Sequence, residues 1–421
     1  MYSETIGPFL LIASVDGFRL FHPPSVLLLR APAATWSAAR KWATRLTQGW
    51  PAQSISIPSA HTEALSLTIC LTTKCNLHCE YCYLHGPDRE WPCQDVAVEV
   101  QGLQDVRAEI SAMLKSSPRK LGITFFGGEP LLEQSTLVNI TRIVQEMAVK
   151  EGTAVEFGVT TNGTLLDSAF LEWACENRVQ VMVSLDSPAG LHNRHRAQGR
   201  RNCSYKRILS RLEGFEPNLA VVTTITHETP SFQAALEPLL DHHFRSVSFN
   251  LVHTPNQKLR LRGTDARRFV MEWRKSAKWF GQHRRRIGNV SQLHQLVRER
   301  RVKSSPCSAG MSSWAVLMDG RRYFCHGCVG NSRFELDAQH QPMSGWLRER
   351  WPSAPESAKC AGCWANYMCG GECWMSRWML GAKEREIRCV LIRGLAELAL
   401  RTFDPSDAGA SGTENHVADL I

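Results

Sequence analysis

The sequence predicts an α/β fold: a partial (β/α)6 TIM-type barrel with a small N-terminal β-rich module and a C-terminal cysteine-rich domain. Three observations carry this. Six strand-like apolar runs recur at near-regular intervals: Ser66–Leu71, Leu121–Phe126, Ala154–Thr160, Val179–Leu185, Leu219–Thr226 and Ser246–Val252. The gaps hold helical patterns such as Val96–Leu114, Leu137–Val149, Ser168–Glu176, Tyr205–Leu212 and Ser231–Leu240. Strand and helix in alternation argue for parallel βαβ units, and six such units leave a barrel open. Second, the first residues break into short apolar runs separated by Asp16-Gly17 and Pro23-Pro24. Third, most of the fifteen cysteines gather in two arrays, one near the start of the barrel and one in the last third of the chain.

Taken in order, Phe9–Val15, Phe18–Phe21 and Val26–Leu29 read as strands, with Asp16-Gly17 as a hairpin signal. A helix follows over Ala34–Thr47, with Trp36, Ala39, Trp42 and Leu46 at helical spacing. Residues 1–60 thus form a module that either caps the main domain or docks a peptide by strand addition. The barrel spans 61–257. Residues 258–304 are a basic helical bridge, with Phe269, Trp273 and Phe280 marking an amphipathic helix. The cysteine-rich domain covers 305–403. Within it, Trp314–Met318 and Arg321–Cys325 form a hairpin about a two-residue Asp319-Gly320 turn. Residues 404–421 are polar, small-residue-rich and read as a flexible tail.

The chain is 421 residues long with 43% hydrophobic and 21% charged residues, an ordinary soluble balance. No apolar run approaches a membrane span, and no secretion signal opens the chain. Fifteen cysteines at metal-ligand spacings in such a chain predict reduced, metal-binding thiols and a cytoplasmic location. The net charge of +9 is compatible with an acidic partner, an acidic leader peptide included. A nucleic-acid surface on the basic segment is the less favoured alternative.

The organising stretch follows the first barrel strand. Cys75, Cys79 and Cys82 are spaced Cys-x3-Cys-x2-Cys. Three thiols in one loop are one short of a closed four-ligand site, so a metal centre here keeps an open position. Soft thiolates select zinc, copper(I) or iron–sulfur clusters. Barrels of this kind carry active residues at the C-terminal ends of their strands. The second strand ends in Phe126-Gly127-Gly128-Glu129-Pro130, the third in Thr160-Thr161-Asn162-Gly163, and the fourth in Ser184-Leu185-Asp186-Ser187 before Arg194 and Arg196. Two glycines allow close backbone approach to a ligand, Glu129 can accept from an ammonium group, and a guanidinium suits a carboxylate.

Together these motifs resemble the radical SAM superfamily. The resemblance implies that Cys75, Cys79 and Cys82 hold a [4Fe-4S] cluster whose free iron chelates S-adenosyl-L-methionine. It places Tyr81, Gly127, Gly128, Glu129, Pro130, Asn162, Ser184, Asp186 and Arg196 at that cofactor. Glu129 would meet the amino group, Ser184 and Asp186 the ribose, and Arg196 the carboxylate. The implied chemistry is reductive cleavage to a 5′-deoxyadenosyl radical that abstracts hydrogen from a substrate.

In the C-terminal array Cys307 is followed, after twelve residues, by Gly320 and then Cys325; next come Cys360-x2-Cys363-x5-Cys369-x3-Cys373 and finally Cys389. This pattern resembles the SPASM domain of radical SAM peptide maturases. The resemblance assigns Cys360, Cys363, Cys369 and Cys389 to one auxiliary cluster and Cys307, Cys325 and Cys373 to another, with Cys328 the nearest candidate for a fourth ligand. Three [4Fe-4S] clusters are then expected. Cys70, Cys175 and Cys203 read as packing residues and Cys93 is unassigned.

Within the family the expected function is cross-linking of a ribosomally made precursor peptide (leader plus core) through C–C, C–O or C–S bonds. Sactipeptide, ranthipeptide, cyclophane and darobactin-type maturases are the models. A flavodoxin or ferredoxin would donate electrons. Formylglycine formation in a sulfatase is the alternative. Those relatives carry an Asp after the cysteine matching Cys325, where this chain has His326, which becomes the candidate base. A non-enzymatic metal-cluster protein that binds nucleic acid is the reading from another class. It leaves Gly127-Gly128-Glu129-Pro130 without a purpose.

Overall fold

The computed structural model describes residues 3–31, 33–49, 64–85, 100–197, 204–303, 305–345, 360 and 362–406. Cys93, Cys203 and the expected tail beyond Ser406 lie outside the described residues. The chain divides into two compact units.

One unit comprises Met1–Ser59, Leu261–Cys307 and Ser353–Ala418. Its antiparallel sheet runs in the order β1 (Ser3–Ile6), β2 (Phe9–Ser14), β3 (Gly17–His22), β4 (Leu27–Arg30). Strand β1 was not anticipated, because Ser3–Ile6 has no apolar alternation. Phe9, Leu11 and Leu20 pack on Ala39 and Ala43 of helix Trp36–Gly49. Leu10, Ile12 and Phe21 face the other way, onto Val297, Ala396 and Leu400. Both faces of the sheet are covered, which is why its strands read as continuous apolar runs. The last carbonyls of helix Ala382–Thr402 need partners. Arg19 Nη1 donates to Leu400 O at 3.0 Å and Ser14 Oγ to Arg401 O at 2.7 Å. In the basic segment Phe269, Trp273 and Phe280 are buried as the pattern predicts. Arg274 pairs with Glu397 at 2.9 Å and Arg284 with Asp404 at 2.8 Å, so part of its charge is spent inside the unit.

The other unit comprises Ala60–Arg260 and Ser308–Pro352. Its large strands are β5 (Ala64–Thr72), β7 (Lys120–Gly127), β8 (Ala154–Thr161), β9 (Val179–Ser184), β11 (Leu219–Ile225) and β12 (Ser246–Leu251). They pair in parallel in the order β12-β11-β9-β8-β7-β5, the six expected runs. Between them lie two short strands, β6 (His78–Cys79) and β10 (Arg196–Ala197), paired with each other. Helices Val100–Lys115, Gln134–Glu151, Ser168–Glu176, Ser204–Leu212 and Phe232–Asp241 occupy the gaps.

The sheet does not stop at β5. Strand β13 (Ser313–Leu317) pairs with it in parallel, from Ser313 opposite Ser66 to Leu317 opposite Cys70. Strands β14 (Arg322–Tyr323) and β15 (Glu335–Leu336) add on antiparallel. The predicted hairpin is therefore present but extends the barrel sheet. Its turn also differs. Leu317 N donates to Arg321 O at 2.9 Å, closing a three-residue loop with Gly320 at φ +81° in the left-handed position such loops use.

A buried carboxylate fastens this extension. Glu109, on helix Val100–Lys115, accepts from Trp314 Nε1 at 2.7 Å and Arg322 Nε at 2.8 Å, and pairs with His340. Burial pushes its carboxyl up, but His340 and Arg322 outweigh that and hold it below the ordinary value of 4.5. A lowered pKa contributes stability that is present above the ordinary value and lost as pH falls through the folded one. Glu109→Ala should therefore cost about 3–5 kcal/mol, as expected for a broken buried pair, read from urea unfolding at pH 7. The cost should shrink when the titration is repeated below pH 4.5. An equal cost at both pH values would show that the charge contributes nothing.

Candidate active site

The site lies at the C-terminal ends of the parallel strands, all within the barrel unit. After β5 the chain enters the cysteine loop, where Cys75, Cys79 and Cys82 are half-buried. Short strand β6 carries Cys79 and pairs with β10, placing Cys79 opposite Arg196. Glu80 N donates to His195 O at 2.9 Å and Cys82 N to Cys79 O at 3.0 Å. The loop is thus held from the far side of the strand-four turn.

Gly127 and Gly128 press on the loop from the other side. A Cβ on Gly127 would sit 2.2 Å from Thr72 O, and one on Gly128 2.1 Å from Lys74 O. Gly127 also has φ +143°. Gly128 N donates to Thr72 O at 2.8 Å and Glu129 N to Lys74 O at 2.9 Å. The close approach these glycines permit is backbone to backbone, against the cysteine loop, and not only towards a ligand as the motif alone suggests.

Glu129 is fully buried. Its Oε1 accepts from Thr161 Oγ1 at 2.6 Å and Leu131 N at 3.1 Å, and its Oε2 from Asn162 N at 2.7 Å. A carboxylate offers about four acceptor positions, so one remains, on Oε2. Burial raises its pKa against these three donors. Pro130 starts the following 3-10 turn. Asn162 Nδ2 donates to Asn76 Oδ1 at 2.8 Å and approaches Cys75 Sγ at 3.8 Å, while its Oδ1 accepts from Thr164. Asn76 and Thr164 close this network at 2.8 Å and were not anticipated. Asn76 stands between two cysteines, where only the fold reveals a partner.

Asp186 is the second buried carboxylate. Arg196 Nε donates to its Oδ2 at 3.0 Å and Nη2 to its Oδ1 at 3.3 Å. Thr224 N adds a bond to Oδ1 at 2.9 Å, and the Tyr81 hydroxyl donates to Oδ2. Four donors leave no free acceptor position. Burial pushes Asp186 up, but the Arg196 charge prevails and holds it low. Burial likewise pulls Arg196 down, and Asp186 more than restores it. Arg196 is 7% exposed, lies 5.4 Å from the Tyr81 ring centroid, and keeps its Nη1 donors without a bond among the described residues. Ser184 ends β9, half-buried, opposite Val222. His192 accepts from Asp186 N through Nδ1 at 3.2 Å, and burial holds its pKa down to about 4, so it is neutral. Its proton therefore sits on Nε2, facing Ser204 Oγ at 3.1 Å.

Of the second array, Cys325 and Cys328 belong to the barrel unit, with Sγ atoms 3.5 Å apart. The contact with Cys328 lowers the Cys325 thiol. The His326 ring packs 4.6 Å from that of Phe126, just before Gly127, and burial pulls its pKa down to about 4. Cys307, Cys360, Cys363, Cys369, Cys373 and Cys389 belong to the other unit. There Cys363 N donates to Cys360 O at 3.0 Å, and Cys369 ends a short helix. Cys389 lies within electrostatic reach of Cys360, Cys363 and Cys369. Cys70 is buried in β5, while Cys175 is exposed.

By donor type these thiols fit an iron–sulfur cluster, as soft thiolates do. Among the described residues no three His, Cys, Asp or Glu side chains converge as a single-ion site requires. Cys75, Cys79 and Cys82 lie within electrostatic reach of one another. Burial pushes the Cys75 thiol up to about 11 and Cys79 up to about 12, so binding must displace their protons. The free acceptor on Glu129 and the free edge of Arg196 suit the ammonium and carboxylate of an amino acid.

Residues 69–237 match the Radical SAM superfamily model. The chain carries a radical SAM domain. It is 25% identical over 161 residues to the radical SAM cyclopropyl synthase TigE of Paramaledivibacter caminithermalis, covering 36% of this chain and 33% of that protein. The chain therefore spans about a third of TigE in this match. It is 24% identical over 319 residues to the serine-type anaerobic sulfatase-maturating enzyme of Klebsiella aerogenes, covering 71% and 76%. The structure resembles native anSMEcpe with bound AdoMet at TM-score 0.63 and 20% identity, covering 80% of this chain and 97% of that one. At that identity the likeness shows a shared fold.

Two substitutions test the geometry. Asp186→Ala strands a buried guanidinium and should cost about 3–5 kcal/mol in urea unfolding. Gly128→Ala drives a Cβ into Lys74 O and should abolish iron retention at Cys75, Cys79 and Cys82, read as iron per chain after anaerobic reconstitution. Full iron content in Gly128→Ala would refute the clamp.

Proposed function

We propose that this chain is a radical SAM enzyme that abstracts hydrogen from a ribosomally made precursor peptide and closes a side-chain cross-link. The observation that supports it most is the meeting of the cysteine loop with Gly127-Gly128-Glu129 on one side and with Arg196, opposite Cys79, on the other. Cys75, Cys79 and Cys82 would hold a four-iron cluster, which with S-adenosylmethionine would supply the hydrogen-abstracting radical. Arg196 would pair with the cofactor carboxylate through its free edge, and Glu129 would accept from the ammonium. Asp186, saturated by four donors, acts as a positioning residue for Arg196 and Tyr81 and not as a direct ribose contact. Ser184 and Asn162 line the same mouth. His326, packed on Phe126, would take the proton released as the substrate radical closes its new bond, with the electron lost in the same step passing to an auxiliary cluster. Cys360, Cys363, Cys369 and Cys389 would hold one auxiliary cluster, and Cys325 with Cys328 would contribute thiols to a second. A flavodoxin or ferredoxin is the proposed electron donor.

Formylglycine formation on a sulfatase is the second reading. The sulfatase-maturating relative matched over 76% of its length favours it. His326, where an Asp is expected, favours the first.

Anaerobic reconstitution, reduction and addition of S-adenosylmethionine should give 5′-deoxyadenosine and about twelve irons per chain, from three four-iron clusters. Replacing Cys75, Cys79 and Cys82 together by Ala should abolish the nucleoside and leave iron in the C-terminal array. No nucleoside from the intact protein refutes the enzyme reading. Iron near four with zinc present refutes the auxiliary clusters. With a peptide encoded beside this protein, mass spectrometry should show loss of two hydrogens in a product inert to hydroxylamine; an aldehyde would favour the second reading.

A further inference from the structure

Three side chains beside the first cysteine close a ring of hydrogen bonds. Asn76 Nδ2 donates to Thr164 Oγ1 at 2.8 Å, Thr164 Oγ1 donates to Asn162 Oδ1 at 2.6 Å, and Asn162 Nδ2 donates back to Asn76 Oδ1 at 2.8 Å. Thr164 N adds a second bond to Asn162 Oδ1 at 2.9 Å. Two donors from Thr164 commit that side of the Asn162 amide to its oxygen, so the nitrogen faces Asn76 and Cys75. An amide nitrogen carries two hydrogens. One is spent on Asn76. The other is left for Cys75 Sγ, 3.8 Å away, a contact that suits the larger radius of sulfur. Leu77 N donates to the same sulfur at 3.4 Å. Asn76 and Leu77 directly follow Cys75, whereas Asn162 and Thr164 lie just beyond β8. The ring therefore ties the end of β8 to the first cysteine. Asn162 and Thr164 are both buried, so water competes little for these donors. A neutral thiol is a weak acceptor, but an anionic thiolate accepts a charge-assisted bond about twice as strong.

We propose that the Asn162 amide donates its second hydrogen to the Cys75 sulfur when that sulfur is a cluster ligand, and so tunes the cluster instead of binding the cofactor. This rests on the reading that Cys75, Cys79 and Cys82 hold a four-iron cluster. Hydrogen bonds to sulfur are among the determinants of cluster potential. Reduction adds negative charge, which a donor stabilises, so the bond raises the potential. Thr164 and Asn76 are positioning residues: they set the direction of the amide and do not donate to the sulfur themselves.

The test is a redox titration of the anaerobically reconstituted holoprotein, without S-adenosylmethionine, followed by electron paramagnetic resonance. The variant with Cys75, Cys79 and Cys82 all replaced by Ala identifies the signal of this cluster by its loss. Asn162→Ser keeps an oxygen for Thr164 N, as serine does in such turns, but is too short to reach Cys75, so iron content should hold. The reduced-to-oxidised ratio at a given potential should fall about tenfold, which is a shift of about 59 mV to lower potential for one electron. An unchanged potential, or a shift that appears only once S-adenosylmethionine is added, overturns the proposal. Survival of every signal in the triple variant overturns the cluster reading, and the proposal with it. Should Asn162→Ser lose iron, the unmutated protein decides. With its asparagines labelled with nitrogen-15 at the side-chain amide, a labelled nitrogen coupled to the reduced cluster is expected in double resonance, and its absence overturns the proposal.

Discussion

The arrangement of the site depends on one buried carboxylate. Asp186 takes hydrogen bonds from Tyr81 in the cysteine loop, from Nε and Nη2 on one edge of Arg196 beyond β9, and from the backbone of Thr224 on β11. Three segments distant in sequence are thereby fixed around two oxygens. An isolated buried charge would cost several kcal/mol, and only full pairing offsets it. Because every acceptor position is filled, the geometry around Asp186 has little freedom. Arg196 inherits that rigidity, and with it the direction of its unused edge.

Glu129 does the same on the opposite side of the loop. It joins the ends of β7 and β8 and a 3-10 turn through three bonds, and keeps one acceptor position. The two carboxylates differ in a chemically useful way. Asp186 is held ionised by a neighbouring cation, whereas burial raises Glu129 and only neutral donors oppose it. Glu129 thus stands to gain from a cation at its vacant position, and Arg196 from an anion at its free edge. An amino-acid head group offers both charges at once. The cysteine loop lies between these supports, clamped by glycine backbone on one side and by the β6–β10 pair on the other.

The extension beyond β5 brings a second sulfur pair into the same unit. Strand β13 adds in parallel to β5, and Glu109 anchors the added strands from the helix behind them. Without that pairing Cys325 and Cys328 would not be carried into the barrel unit, and the sheet would end in an open edge at β5.

The six parallel strands and their helices were legible because buried strands write continuous apolar runs and surface helices write a 3.6-residue period. The cysteine spacings and Gly127-Gly128-Glu129 were legible because their chemistry needs specific residue types at short range. Strand β1 was not, since Ser3–Ile6 borrows its stability from β2 and has no pattern of its own. The pairing of β13 with β5, the saturation of Asp186 and the Asn76–Asn162–Thr164 network were also invisible. Each joins residues far apart along the chain through hydrogen bonds, and periodicity carries no record of long-range partners. The sequence by itself determined which groups are available for chemistry. The tertiary structure decided which of them are already occupied, because a donor or acceptor is spent only when its partner arrives in space.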